Sequence, residues 1–247
     1  MGLAGAGLLS GCVAPSVTRE GDPFEGGIGG TGIVGLLTGV GSLRVNGLRI
    51  ETSERTAVET PFGAVAEDAI RSGMALSIVA WRSADRLEAR SVRILWPVIG
   101  TVTGGPGGYA VNGVPVRAEA GASGRLARGS RVAVSGAWTA SGLVASRIDL
   151  ADQPEDLIAG VAERTGPTGL TVGGAPVRLS RGTAPGAGTF VTVKGRLGAG
   201  DFQARTLAEG RFGEGAEALR QLSIEGYLEP IDTAPGFRVA GLGHSFA

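Results

Sequence analysis

The stretch Gly129-Ser130-Arg131-Val132-Ala133-Val134-Ser135-Gly136 decides how the chain is read. Val132 and Val134 alternate with other residues, the pattern of a strand with one buried face. Glycines punctuate it at both ends. Two other segments repeat the form. Gly188-Thr189-Phe190-Val191-Thr192-Val193-Lys194-Gly195 keeps both glycines, and the segment from Gly73 to Ala80 keeps the first and ends on another small residue. A further strand follows each one: Leu87-Glu88-Ala89-Arg90, Leu143-Val144-Ala145-Ser146 and Phe202-Gln203-Ala204-Arg205. The alanine lies at the same distance behind each punctuating residue, so the spacing is a repeat.

Working outward, four upstream segments also resemble one another. They are Leu43-Arg44-Val45-Asn46-Gly47, Tyr109-Ala110-Val111-Asn112-Gly113, Leu170-Thr171-Val172-Gly173-Gly174 and Phe237-Arg238-Val239-Ala240-Gly241. A strand carrying Gly35, Gly100, Gly160 or Gly226 precedes each. Asn-Gly accepts the two positive φ angles that a type I′ hairpin turn requires. Each unit therefore reads as about five short strands, enough to close a small barrel of the OB type. The predicted fold is all-β: tandem small five-stranded OB-like barrels or curled sheets, with one short connecting helix. The units are 32–96, 97–152 and 157–210, then the helix at 214–222 and a partial fourth unit at 223–247. The helix rests on Ala216, Ala218, Leu219 and Leu222 set among Glu and Arg.

Composition supports this organisation. The 247 residues include 45 Gly and 12 Pro, yet 43% are apolar and the net charge is zero. A disordered chain is poor in apolar residues and high in net charge. A zero balance of 23 basic and 23 acidic residues also argues against general nucleic-acid binding, which needs a basic excess. Cys12 is the sole cysteine and His244 the sole histidine, so the chain holds no internal disulfide and no Cys/His zinc site. No cofactor or metal is expected. Carboxylate chemistry stays open, but no pattern of residues points to an enzyme.

The N-terminus carries a different signal. Leu9-Ser10-Gly11-Cys12 resembles the bacterial lipobox, which implies lipidation of Cys12 and cleavage before it. The eleven residues ahead of Cys12 carry no charge, shorter and less basic than a signal peptide. Residues 1–12 are thus expected to be a truncated lipoprotein signal, and 13–31 a Gly-rich tether. Gly27-Ile28-Gly29-Gly30-Thr31-Gly32 matches the spacing of a dinucleotide loop, but the preceding strand that loop needs is missing from the pattern. Val13 after Cys12 resembles the sorting signal for the outer membrane.

Gly29-Gly30-Thr31-Gly32, the segment Leu43 to Gly47 and the unit from Gly100 to Ile148 resemble a bacterial family called domain of unknown function 5666. That resemblance implies an exported protein with tandem copies of a short β-domain. It carries no catalytic residues. Gly173 and Ala240 stand where the pattern has Asn.

Candidate site residues are few. Trp81 and Trp138 would be stacking platforms for sugars or bases if exposed, with core or inter-domain packing the favoured reading. Arg44 and Arg49, with Arg90 and Arg93, would share one face of the first unit. Trp96-Pro97 suits a domain interface. Asp149, Asp152, Glu155 and Asp156 read as a solvated linker rather than a Ca²⁺ loop. The expected function is a non-enzymatic, lipid-anchored protein of the cell envelope, at the periplasmic face of the outer membrane or the cell surface. Its partners would be the membrane, through Cys12, and an envelope protein or glycan, with nucleic acid disfavoured. The alternative is a module binding oligosaccharide or single-stranded nucleic acid on the barrel face.

Overall fold

A computed structural model describes residues 29–83, 85–105, 108–165, 169–231, 236–241 and 245–246. Cys12, His244 and residues 1–28 lie outside them, and with them the lipobox and most of the expected tether. Gly30 and Thr31, its last residues, belong to the first strand instead, because they pair with Leu219 and Ala80.

The second unit sets the template. It holds β8 (Val98–Gly105), β9 (Gly108–Val111), β10 (Val114–Ser123), β11 (Arg131–Thr139) and β12 (Gly142–Leu150). β8 pairs with β9 and β9 with β10, both antiparallel. β10 runs parallel to β12, β12 pairs with β11, and β11 returns to β8. The sheet is closed. The third unit repeats every one of these pairings with β13 (Asp156–Arg164), β14 (Leu170–Val172), β15 (Ala175–Leu179), β16 (Phe190–Leu197) and β17 (Phe202–Glu209). The first unit does the same with β1 (Gly30–Gly39), β2 (Leu43–Val45), β3 (Leu48–Glu51), β6 (Ala75–Ser83) and β7 (Arg86–Leu95). It inserts a hairpin between β3 and β6, made of β4 (Ala57–Thr60) and β5 (Gly63–Ala64). All three units are closed five-stranded barrels, and closure removes the open edges of such short strands.

The repeated residues are the ones that shape the closure. Gly73, Gly129 and Gly188 all sit at positive φ, at 84°, 84° and 85°. Their amides donate to the carbonyls of Leu37, Val102 and Ala162 on the first strand of each barrel. A β-bulge then falls at Val79/Ala80, Ser135/Gly136 and Lys194/Gly195. Bulges bend a strand, as a small barrel requires. Across from it, Ala80 pairs with Ala89, Gly136 with Ala145 and Gly195 with Ala204. The fixed spacing in the sequence is therefore a cross-strand pair. A Cβ on Gly136 or Gly195 would lie 2.1 or 2.0 Å from the carbonyl oxygen of Val144 or Gln203. Only the first barrel admits a methyl group there.

The barrels do not hang separately. β8 pairs with β13 at Ile99 and Leu157, which joins barrels two and three into one ten-stranded sheet. Ile99, Ala133, Leu157 and Ala159 of those barrels share a core with Leu76, Ile78 and Val92 of the first. Trp96, 9% exposed, is buried in this shared core, its ring centroid 6.5 Å from that of Phe62. A small barrel alone buries a marginal core, and sharing one offsets that deficit.

The segment after the third barrel departs from the expected helix at 214–222. It makes one 3₁₀ turn at Ala216–Ala218 and then strand β18 (Leu219–Ile224), parallel to β1. Gly215 interrupts the helical pattern and adopts φ 91°. The edge of β1 supplies backbone partners that outweigh a modest helix propensity. β19 (Leu228–Pro230), β20 (Phe237–Val239) and β21 (Ser245–Phe246) form a separate three-stranded antiparallel sheet.

Candidate functional site at the barrel junction

The first strand of each barrel is braced by one side chain, and those braces converge on the junction. Asn46 and Asn112 sit at the first position of their turns at φ 54° and 53°, a conformation Asn tolerates. Asn112 Nδ2 donates to the carbonyl of Ile99 at 2.7 Å and to that of Leu157, on the neighbouring barrel, at 3.1 Å. Asn46 Nδ2 donates to Val34 O at 3.0 Å and to Ser223 Oγ on β18 at 3.1 Å. In both cases the acceptor carbonyl precedes the strand glycine, Gly100 or Gly35. A Cβ there would lie 2.3 or 1.9 Å from the Asn oxygen. The third barrel has Gly173 at the turn, at φ 58°, so the turn geometry survives without the amide. Trp138 of the second barrel fills the gap. Its Nε1 donates to Ala159 O, the carbonyl before Gly160, at 3.2 Å. A Cβ on Gly173 would meet the Trp138 ring at 2.0 Å, and one on Gly241 at 2.3 Å.

Beside Trp138 lies a cavity of about 290 Å³. All three barrels and the chain after them contribute to it. Val34 and Leu36 come from β1, Ala137 and Trp138 from β11, Ala159 from β13 and Phe190 from β16. Tyr227, Ala240 and Gly241 close the remaining side. The wall is mostly apolar. Its charged members are Arg211, Glu119 and Glu225. Arg211 is 6% exposed, with its guanidinium carbon 4.3 Å from the centroid of the Phe190 ring. Burial pulls its pKa down from the usual arginine range to about 10, which leaves it a cation at neutral pH. Glu225 is exposed, and its Oε2 accepts the Leu36 amide at 3.2 Å. Such a wall can hold a small apolar molecule and set its orientation through one charge.

The residues singled out in the sequence scatter over two places. Trp138 is 8% exposed and braces the junction, so it is not an open stacking platform. Trp81 stands one residue past its bulge and Trp138 two residues past, so the two tryptophans take alternate faces of equivalent strands. Trp81 is half-buried on the outer face of the first barrel, opposite Glu88. It joins Ser53, Arg55, Arg90 and Glu214 around a second, open hollow of about 410 Å³. Arg44 and Arg49 are exposed cross-strand partners on β2 and β3, and Arg49 Nε lies 3.0 Å from Glu51 Oε1. Glu51 in turn faces Glu88 across the parallel pair of β3 and β7. Arg49 and Trp81 thus share one sheet face, two strands or about 10 Å apart. Arg90 and Arg93 are taken up in ion pairs with Glu214 and Glu59, each at 2.7 Å.

The acidic cluster between units two and three is not a solvated linker. Arg131 bonds Asp156 and donates to the carbonyls of Gln153 and Glu155, while Arg205 bonds Glu155 and Arg147 grips Asp149 through two 2.7 Å bonds. Of these pairs, Arg131 with Asp156 fastens barrel two to barrel three, while Arg147–Asp149 lies within one strand and Arg205–Glu155 within the third unit. Among the described residues no group of acids, Cys or His is arranged to hold a metal ion.

Arg211 and the bracing role of the two Asn were not legible in the sequence. Arg211 lies in a connector with no periodicity, and nothing local signals its burial. The Asn role had a trace, the recurrence of a strand glycine ahead of each Asn-Gly. No family model, curated protein or solved structure matches the chain.

Proposed function

We propose that this chain is a non-enzymatic, lipid-anchored protein of the cell envelope that acts as an interaction module. One observation carries the reading: three like barrels share a core, Asn112, Trp138 and Arg131 of barrel two brace the backbone of barrel three, and Ser146 and Arg147 of barrel two donate to the backbone of barrel one at Gly73 and Ser72. A rigid body of this kind holds several surfaces at fixed relative positions, which is what a scaffold needs. The Leu9-Ser10-Gly11-Cys12 segment supports the anchor, and the resemblance to domain of unknown function 5666 supports export. Acyl chains add about 0.8 kcal/mol per buried CH₂, so two or more hold a protein stably on a membrane. In a Gram-negative host, the chain should take up labelled palmitate and sediment with membranes, and Cys12→Ser should do neither. Equal sedimentation of both forms would contradict the anchor.

A second reading has its own observation. Trp81, Glu88 and Arg55 on the outer face of barrel one border the 410 Å³ hollow, with Arg49 on the same sheet face, an arrangement suited to an oligosaccharide or a single strand of nucleic acid. Quenching of Trp81 fluorescence by one member of a glycan and oligonucleotide panel, lost in Trp81→Leu, would favour it. No quenching across the panel would remove it.

A further inference from the structure

We propose that the junction cavity is a binding site for a small carboxylic acid with an apolar body, its carboxylate paired with Arg211. The cavity shares no lining residue with the Trp81 hollow, and the inference rests on neither reading above.

Size limits the ligand first. At about 30 Å³ per water-sized volume, 290 Å³ holds about ten non-hydrogen atoms. A medium-chain or aryl acid fits that space. The walls settle the body of the ligand. Val34, Leu36, Leu95, Pro97 and Val144 present aliphatic surface, and Trp138 adds an aromatic face. A polar ligand would lose its water without gaining partners there.

The charged groups settle the head. Arg211, Glu119 and Glu225 all line the cavity, so the sign of the preferred ligand depends on their surroundings. Arg211 is 6% exposed and stacks on Phe190. Glu119 and Glu225 are exposed, and Glu225 is turned to the Leu36 amide. A charge–charge interaction at an effective dielectric near 20 is about fourfold stronger than in water. The buried cation therefore outweighs the two solvated acids. A guanidinium also offers a planar fork of donors that matches a carboxylate at both oxygens. Burial and the contact with Phe190 hold that group in place before any ligand arrives, which lowers the ordering cost of binding.

Three probes of equal length separate the terms: octanoate, octanol and octylammonium. Titrated into the whole chain in detergent-free buffer and followed by calorimetry and tryptophan fluorescence, octanoate should bind one to one. Octanol should bind at least tenfold more weakly, and octylammonium more weakly still. Arg211→Met should bring octanoate down to the affinity of octanol. Ala137→Phe, which fills the cavity from a half-buried position, should abolish binding of both while leaving the melting transition cooperative. Absence of octanoate binding to the native chain would overturn the proposal, as would equal affinities for acid and alcohol or a preference for the amine. The three-probe comparison uses the native protein, so it decides the matter even if Arg211→Met fails to fold.

Discussion

Barrels two and three are the same five-stranded circuit, yet they hold their first strand by different means. In barrel two the brace is local: Asn112, twelve residues beyond Gly100, reaches back to Ile99 O and across to Leu157 O. In barrel three the brace is borrowed: Trp138, from a different barrel, reaches Ala159 O. The carbonyl occupies the same place in both circuits, and only the donor differs. A repeat can therefore lose its own polar residue when a neighbour supplies an equivalent hydrogen bond. The exchange has a consequence. Barrel two keeps its brace wherever its turn folds, whereas barrel three depends on being docked. Glycine at 173 is what the exchange requires, because any Cβ there runs into the indole.

The largest effect should come from removing the borrowed donor. Trp138→Ala deletes a buried ring packed on Gly160, Gly173 and Gly241 and should cost about 3–5 kcal/mol in chemical denaturation. Hydrogen exchange should then rise first in Ala159–Val161 and at Ala240, ahead of barrel one. Uniform loss of protection over all three barrels would break the comparison. Asn112→Ala should cost about 2–3 kcal/mol, since it strips the buried carbonyls of Ile99 and Leu157 and puts alanine at φ 53°. Asn46→Ala should cost less, about 1–2 kcal/mol, because Asn46 is only half-buried and its second partner is the hydroxyl of Ser223. Should Asn46→Ala prove the worse of the two, the burial argument for their ranking fails.

Much of the architecture was legible because it depends on local backbone needs. Gly73, Gly129 and Gly188 mark positive φ, and the Ala80–Ala89, Gly136–Ala145 and Gly195–Ala204 pairs mark a close approach at a bulge. Both requirements exclude larger side chains, so they leave a trace in residue type. The rest depends on which surfaces meet. The end of the expected helix at 214–222 becomes part of the strand Leu219–Ile224 because the edge of β1 is beside it. Trp81 and Trp138 look alike in sequence, but a one-residue offset from the bulge turns one outward and the other into the junction. Asp156 and Glu155 look like linker acids until Arg131 and Arg205 are folded against them. Arg211 gave no signal at all, since a lone arginine in a glycine-rich connector is ordinarily solvated.

The equivalence of the two braces is tested most directly by a double-mutant cycle at Trp138 and Gly173, read by denaturant unfolding. In the native background Gly173→Asn should destabilise by about 1–3 kcal/mol, because the new side chain collides with the indole. In the Trp138→Ala background the same change should stabilise by about 1 kcal/mol, as the amide takes over the bond to Ala159 O. Equal destabilisation by Gly173→Asn in both backgrounds would contradict the account.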